Sequence, residues 1–368
     1  MKKLIHSVLA CLFFGSIALA EGGQLTARSI RLGMISPLTG DFAVYGEHIK
    51  RGVELAREEL KSQGIATELF VEEACLATQA RSALTKLVSV DRIDALSASY
   101  CVIGMVASED ILEKAKVVAF QTSGGTKEIL DAGEFLFTTA GRTTAEAEEL
   151  ANHAYRNLGR RKAAVLYLTT QWGEEFKNAF VAQFSKLGGE ITGSDTNAIG
   201  VNDFRSELLR LRIGNPDVLV IVHLAQTLGI AIKQSREGGY KQTILATTDA
   251  EEQGVIDVAG KYAEGSQFLA TDAAVETDAM KKFNKEFQDR FQKAAHPLSR
   301  HSYDATMLTA TALNECHLDH VCAKEKLYQV KGYSGASGVF SIEADGGVER
   351  EFVLKTVKDA QFVRVGAK

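Results

Sequence analysis

Alternation constrains this chain more than any single motif in it. From Ile30 onward, β-rich apolar runs take turns with stretches of helical period, and after Gly141 the series begins afresh. The first series predicts a strand at 30–35 and then a helix with Ile49, Val53, Ala56 and Leu60 on one face, stopped by Gly64. A strand at 68–72 follows, then a helix at 78–90 with Leu84, Leu87 and Val88 inward. Strands at 95–98 and 117–120 flank a helix at 104–114, and a short strand at 135–138 closes the series. The second series predicts helices at 143–158, 173–187, 203–213 and 226–237, with strands at 162–168, 190–193, 217–222, 243–247 and 267–270. Helices at 277–295 and 303–316, a shorter one from Ala323, and strands at 338–342 and 352–357 complete the pattern.

Strands alternating with helices of about 10 to 15 residues build βαβ units and hence parallel sheets. Two such series imply an α/β fold of two doubly wound parallel-sheet lobes. No Pro- or Gly-rich linker separates them, so short crossings join the lobes. The expected division is 29–142 with 272–351 for one lobe and 143–271 with 352–368 for the other. A ligand then belongs between the lobes, at the carboxyl ends of the strands.

The first twenty residues read as a secretory signal peptide. Lys2 and Lys3 precede an apolar run, and Ala18-Leu19-Ala20 offers a cleavage site before Glu21. Export then leaves 40 basic against 47 acidic residues, with no basic block, which argues against nucleic acid as a partner. Four cysteines remain: Cys75, Cys101, Cys316 and Cys322. An even count in an oxidising compartment suggests two disulfides, with three pairings open on arithmetic. Two of the cysteines stand near the ends of neighbouring strands and two lie close together near the end, so Cys75–Cys101 and Cys316–Cys322 is the natural pairing.

Chemistry concentrates in the stretch 94–126, where two strand ends open into the turn Tyr100-Cys101-Val102 and the loop Ser123-Gly124-Gly125-Thr126. That loop lacks the lysine and glycine spacing of a phosphate cradle, but its amides and hydroxyls suit a carboxylate. A plain tight turn is the structural alternative. No nucleophile elbow, phosphate loop, HExxH or dinucleotide fingerprint occurs, so no enzyme activity and no cofactor are expected. The run Cys316-His317-Leu318-Asp319-His320-Val321-Cys322 has the elements of a zinc site, yet a disulfide closing a short loop is the plainer reading, and no metal is expected there. Trp172 and Tyr45 stand at the mouth of the expected cleft, with core or surface anchoring as their alternatives. Asp249 ends a strand and is the best-placed acid for a ligand ammonium, or else a helix cap. Tyr303 reads as core.

Taken in order, these segments resemble the branched-chain amino-acid-binding proteins, periplasmic solute receptors of ABC importers with the type I fold. IRLGMISPLTGDFAVYGEHIKRGVELA is similar to that family's first strand, loop and helix, and VEEACLATQA…LSASYCVIGMVAS to its disulfide-bearing segment, which supports Cys75–Cys101. TSGGTKEIL, TTAGRTTAE, AVLYLTTQWGEEF, GNPDVLVIV and VLKTVKDAQFV follow in the family order. The resemblance implies a hinged receptor that closes over a small solute and delivers it to a membrane permease. It implies that Val102, Gly124, Gly125 and Thr126 hold a carboxylate. It also implies an ammonium near Thr143 and Asp249, and a pocket lined by Tyr45, Tyr100, Trp172 and Ala225.

Three departures stand out. Val102 replaces the usual serine, Thr143 stands where an acid is usual, and the tyrosine expected near Ala225 is missing. A buried ammonium without a carboxylate partner is costly, so an aromatic or aliphatic acid competes with an amino acid as the solute. The expected protein is a monomeric periplasmic receptor for a small carboxylate-bearing solute, with the permease of an ABC importer as partner. A sensory receptor of the same fold is the alternative, and a secreted hydrolase a weaker one.

Overall fold

The computed structural model describes residues 28–271 and 276–366. The expected signal peptide lies outside them. The first series runs β1 (Ile30–Ser36), α1 (Ala43–Ser62), β2 (Thr67–Glu73), α2 (Ala77–Ser89), β3 (Ala95–Ser99), α3 (Val102–Val106), α4 (Glu109–Ala115), β4 (Val118–Gln121), α5 (Lys127–Leu130) and β5 (Leu136–Thr138). Its strands form a five-stranded sheet in the order β2-β1-β3-β4-β5, and every pairing is parallel.

The second series runs α6 (Thr143–Asn152), β6 (Lys162–Leu168), α7 (Gln171–Lys186), β7 (Glu190–Asn197), α8 (Arg205–Ile213), β8 (Val218–Val222), α9 (Ala225–Glu237), β9 (Thr243–Ala246), α10 (Gln253–Ala259) and β10 (Gln267–Ala270). After it come α11 (Asp278–Phe291), α12 (Pro297–Glu315), α13 (His320–Tyr328), the hairpin β11 (Tyr333–Gly335) and β12 (Gly338–Phe340), then β13 (Val353–Lys358) and β14 (Gln361–Arg364). The second sheet has the order β14-β13-β10-β9-β8-β6-β7, parallel except at β13 and β14. The chain therefore folds as two α/β lobes, as the alternation predicts.

The differences from the predicted elements are local. The helix expected at 104–114 divides into α3 and α4, with the buried Ser108 hydroxyl bonded back to the Gly104 carbonyl at 2.7 Å. Val88 is only partly buried, and Ala83 takes its place in the core. The helix expected from Tyr303 begins at Pro297 instead, where proline's fixed φ suits the first turn and the His296 ring accepts the Leu298 amide. Tyr303 packs edge-on against Phe283, in agreement with its reading as core.

Helix α12 packs α1 against the first sheet at close range. A methyl group at Gly52 would lie 2.1 Å from the Ser299 carbonyl oxygen, so only glycine permits this approach. Hydroxyls of Ser299 and Ser302 donate to the carbonyls of His48 and Ile49. One apolar cluster runs through both lobes: Met34, Tyr45, Ile49 and Ala98 pack with Leu166, Ile221, Leu228 and Ala246. The lobes are thus in contact along their facing surfaces.

Candidate functional site

Segments that follow strand ends in one lobe meet segments that follow strand ends in the other. Tyr45, in the first turn of α1, reaches the second lobe and is almost fully buried. Its phenol donates to Asp249 Oδ1 at 2.8 Å and accepts the Ala225 amide, the first of α9, at 2.9 Å. The Tyr45 ring stacks on Tyr100, with centroids 4.7 Å apart and planes 17° from parallel. On the far side of the cleft the Lys127 amide donates to the Glu175 carboxylate of α7. Beside these contacts a small hollow is lined by Phe42 from the first lobe and by Leu168, Leu224, Gln226 and Thr227 from the second. A larger hollow is lined only by second-lobe residues, among them Arg205, Leu208, Arg212 and Tyr240, and carries none of the candidate residues.

The acid side of the site is stronger than the sequence suggested. Asp249 lies in a short turn after β9, not at a helix cap, and burial pushes its pKa up to about 6, opposed by the Tyr45 hydrogen bond. Thr143 opens α6 with its amide bonded to the Gly125 carbonyl. Glu146, one turn further along α6, is buried and accepts the Thr248 amide at 2.8 Å. Burial pushes its pKa up to about 8, and the Asp249 charge adds to the shift. An acid absent at Thr143 is thus present three residues later, on the same helix face.

The proposed carboxylate loop is tightly drawn. Gly124 has φ +56°, and a methyl group there would lie 3.1 Å from Val102 Cγ2, so the two residues adjoin. Cys101 immediately precedes α3 and is bonded to Cys75, which ties the Tyr100–Val102 turn to the segment just after β2. The Tyr100 carbonyl accepts bonds from the Gln121 side-chain amide and the Ser123 hydroxyl. Thr126 is fully buried, and its hydroxyl has no hydrogen-bond partner among the described residues. It stands at the start of α5 without capping it. A buried hydroxyl left unpaired calls for a partner such as a water, an ion or a ligand atom.

Trp172 sits at the start of α7, partly buried, with its ring against Phe176 in the interior of the second lobe. The structure therefore joins Tyr45, Tyr100, Ala225 and Asp249 in one contact set and leaves Trp172 outside it. Cys316–Cys322 is formed, His317 is exposed, and His320 lies 3.7 Å from Asp94, which Arg28 already binds.

Sequence reasoning missed His223. This residue follows β8, is fully buried, and meets Thr227 through Nδ1 at 3.2 Å while Nε2 has no partner among the described residues. Burial pushes its pKa down to about 4, so the ring is neutral. Its place just past the buried run Val218–Val222 is a signal that could have found it.

The model of the family described as periplasmic binding protein matches residues 29–361. A Leu/Ile/Val-binding protein homologue from Brucella melitensis is 25% identical over 286 residues, 76% of each chain. A leucine-binding protein from Thermotoga maritima superposes with a TM-score of 0.86 at 22% identity, over 92% of this chain and 98% of its own. A solute-binding protein of an ABC transporter from R. palustris, in complex with 4-hydroxybenzoate, superposes with a TM-score of 0.84 at 18% identity, over 92% and 96%. The chain belongs to the periplasmic binding proteins, in the family of the branched-chain amino-acid-binding receptors with the type I fold.

Proposed function

We propose that this protein captures a small carboxylate-bearing solute in the periplasm and delivers it, without catalysis, to the permease of an ABC importer. In this reading it is exported by its signal peptide and acts as a monomer. The lobes are 29–142 with 272–351 and 143–271 with 352–368, hinged at their short crossings. Opening the cleft breaks the Tyr45–Asp249 and Tyr45–Ala225 bonds, and solute contacts from both lobes favour closure.

One observation carries the choice of solute. The first lobe offers a buried hydroxyl at Thr126 with no partner among the described residues, and the second offers two desolvated carboxylates, Asp249 and Glu146. A solute carboxylate at Thr126 and the amides of Val102 and Gly124 to Thr126, with an ammonium facing Asp249 and Glu146, satisfies both ends. An α-amino acid is therefore the favoured class. An aromatic acid is the second reading, supported by the stacked Tyr45–Tyr100 pair and by the 4-hydroxybenzoate complex of the R. palustris relative. Thermal unfolding with panels of amino acids and of aromatic acids separates the two, since a bound solute raises Tm.

A further inference from the structure

The two lobes also meet at a point that solute recognition does not use. His48 on α1 and His296 just before α12 belong to the first lobe, and Glu252 just before α10 belongs to the second. Their ligating atoms, one from each, all lie within 4.8 Å of one another. Glu252 Oε1 is 2.8 Å from His48 Nε2 and 3.3 Å from His296 Nε2. Neither approach is aligned as a hydrogen bond: all three atoms are buried and lack a hydrogen-bond partner among the described residues. Three buried, unsatisfied donor atoms converging on one point are what an ion site presents before the ion arrives.

We propose that His48, Glu252 and His296 form a binding site for a transition-metal dication of the zinc class, placed across the two lobes. Two imidazoles and one carboxylate are a borderline donor set that suits such ions over calcium or magnesium. Donors held tetrahedrally at about 2.0–2.1 Å from zinc stand roughly 3.3 Å apart; the two spacings to Glu252 are 2.8 and 3.3 Å, and a modest ring movement closes the third. A fourth position is left to water.

The backbone prearranges the two histidines. The close approach of α1 and α12 at Gly52 and the bond from the Ser299 hydroxyl to the His48 carbonyl place the rings in a stack, with centroids 4.3 Å apart. Coordination asks two adjustments. The rings must tilt so that their lone pairs converge, and His296 must move its proton to Nδ1, releasing the Leu298 amide it now accepts. One lost cap bond is small against a metal bound by three protein ligands. His48, Arg300, His301 and Lys355 are the basic groups that face His296, and Lys355 is paired with Glu251.

Because Glu252 comes from one lobe and the imidazoles from the other, the complete set exists only with the lobes together. The ion therefore favours the closed form, and by linkage it favours any solute that binds that form.

The test uses the mature, untagged protein with both disulfides intact and no solute. Zinc chloride is titrated by calorimetry and by thermal unfolding, and cobalt(II) chloride by its visible absorption. One saturable site, a rise in Tm and a tetrahedral cobalt band are expected. The His48→Asn, Glu252→Gln and His296→Asn variants should each weaken binding by more than roughly tenfold, and His320→Asn should leave it unchanged. Melting in a chelator shows that each variant is folded. Absence of saturable binding in the native chain overturns the proposal, as does binding that survives in the His48→Asn/His296→Asn double variant.

Discussion

Tyr45 and Asp249 lie in different lobes, and the phenol of one donates to the carboxylate of the other at 2.8 Å. The same phenol oxygen accepts the Ala225 amide, so a single atom from α1 engages both the acid and the helix start that frame the second lobe's half of the cleft. Tyr45→Phe keeps the ring and its stack on Tyr100 but leaves a buried amide and a desolvated carboxylate without this partner. The expected loss is about 1–3 kcal/mol of unfolding free energy, measured by urea titration of the solute-free protein.

Asp249 and Glu146 tie stability to pH. The unfolded chain gives up these protons near pH 4, whereas the folded chain holds them to about 6 and about 8. Between those values the folded state binds more protons, so this contribution to stability is lost as pH rises. Glu146→Gln keeps an acceptor for the Thr248 amide and removes the titration. Urea midpoints taken between about pH 5 and pH 8 should therefore fall less steeply in the variant than in the native protein.

Thr126 separates stability from binding. Thr126→Val preserves shape and removes a buried hydroxyl that has no partner among the described residues. The solute-free variant should be as stable as the native chain or more so, by up to about 1 kcal/mol. It should lose the solute-induced rise in Tm. Paired melting curves with and without solute check both halves.

The two disulfides should differ in weight. Cys75–Cys101 spans 26 residues and Cys316–Cys322 spans 6. Loop-closure entropy gives about 3.5 kcal/mol for the first and about 2 kcal/mol for the second. Paired Cys→Ala variants, unfolded in urea, should rank in that order. Only loss of Cys75–Cys101 should also weaken solute binding, because it frees the Tyr100–Val102 turn.

Periodicity carries the fold of this chain. Lys162–Leu168 and Gln267–Ala270 fall at their predicted bounds because apolar runs between turn residues specify a strand locally. The terminal hairpin was half legible: β14 escaped because its turn uses Asp359 and Ala360 at positive φ, where glycine or asparagine would have marked it. The start of α12 was missed because its first residue is proline, preceded by a histidine whose ring does the capping. Of the candidate site, the Gly124–Thr126 loop and Asp249 were proposed from their places at strand ends. Glu146 was not, since on a helix an acid looks solvated until the Thr248 amide, far away in sequence, buries it. The same holds for His48, Glu252 and His296, which only the folded chain brings together from three distant segments.

The most direct test of the account is a calorimetric titration of leucine and other α-amino acids, each against the matched acid that lacks the amino group and against benzoate and 4-hydroxybenzoate, in buffers of different ionisation enthalpy. An ammonium placed between Asp249 and Glu146 lowers both pKa values, so binding near neutral pH must release protons. The account predicts saturable binding of an α-amino acid with net proton release, lost in Thr126→Val. Binding of the amine-free acids alone, with no proton release and no effect of Thr126→Val, would contradict it.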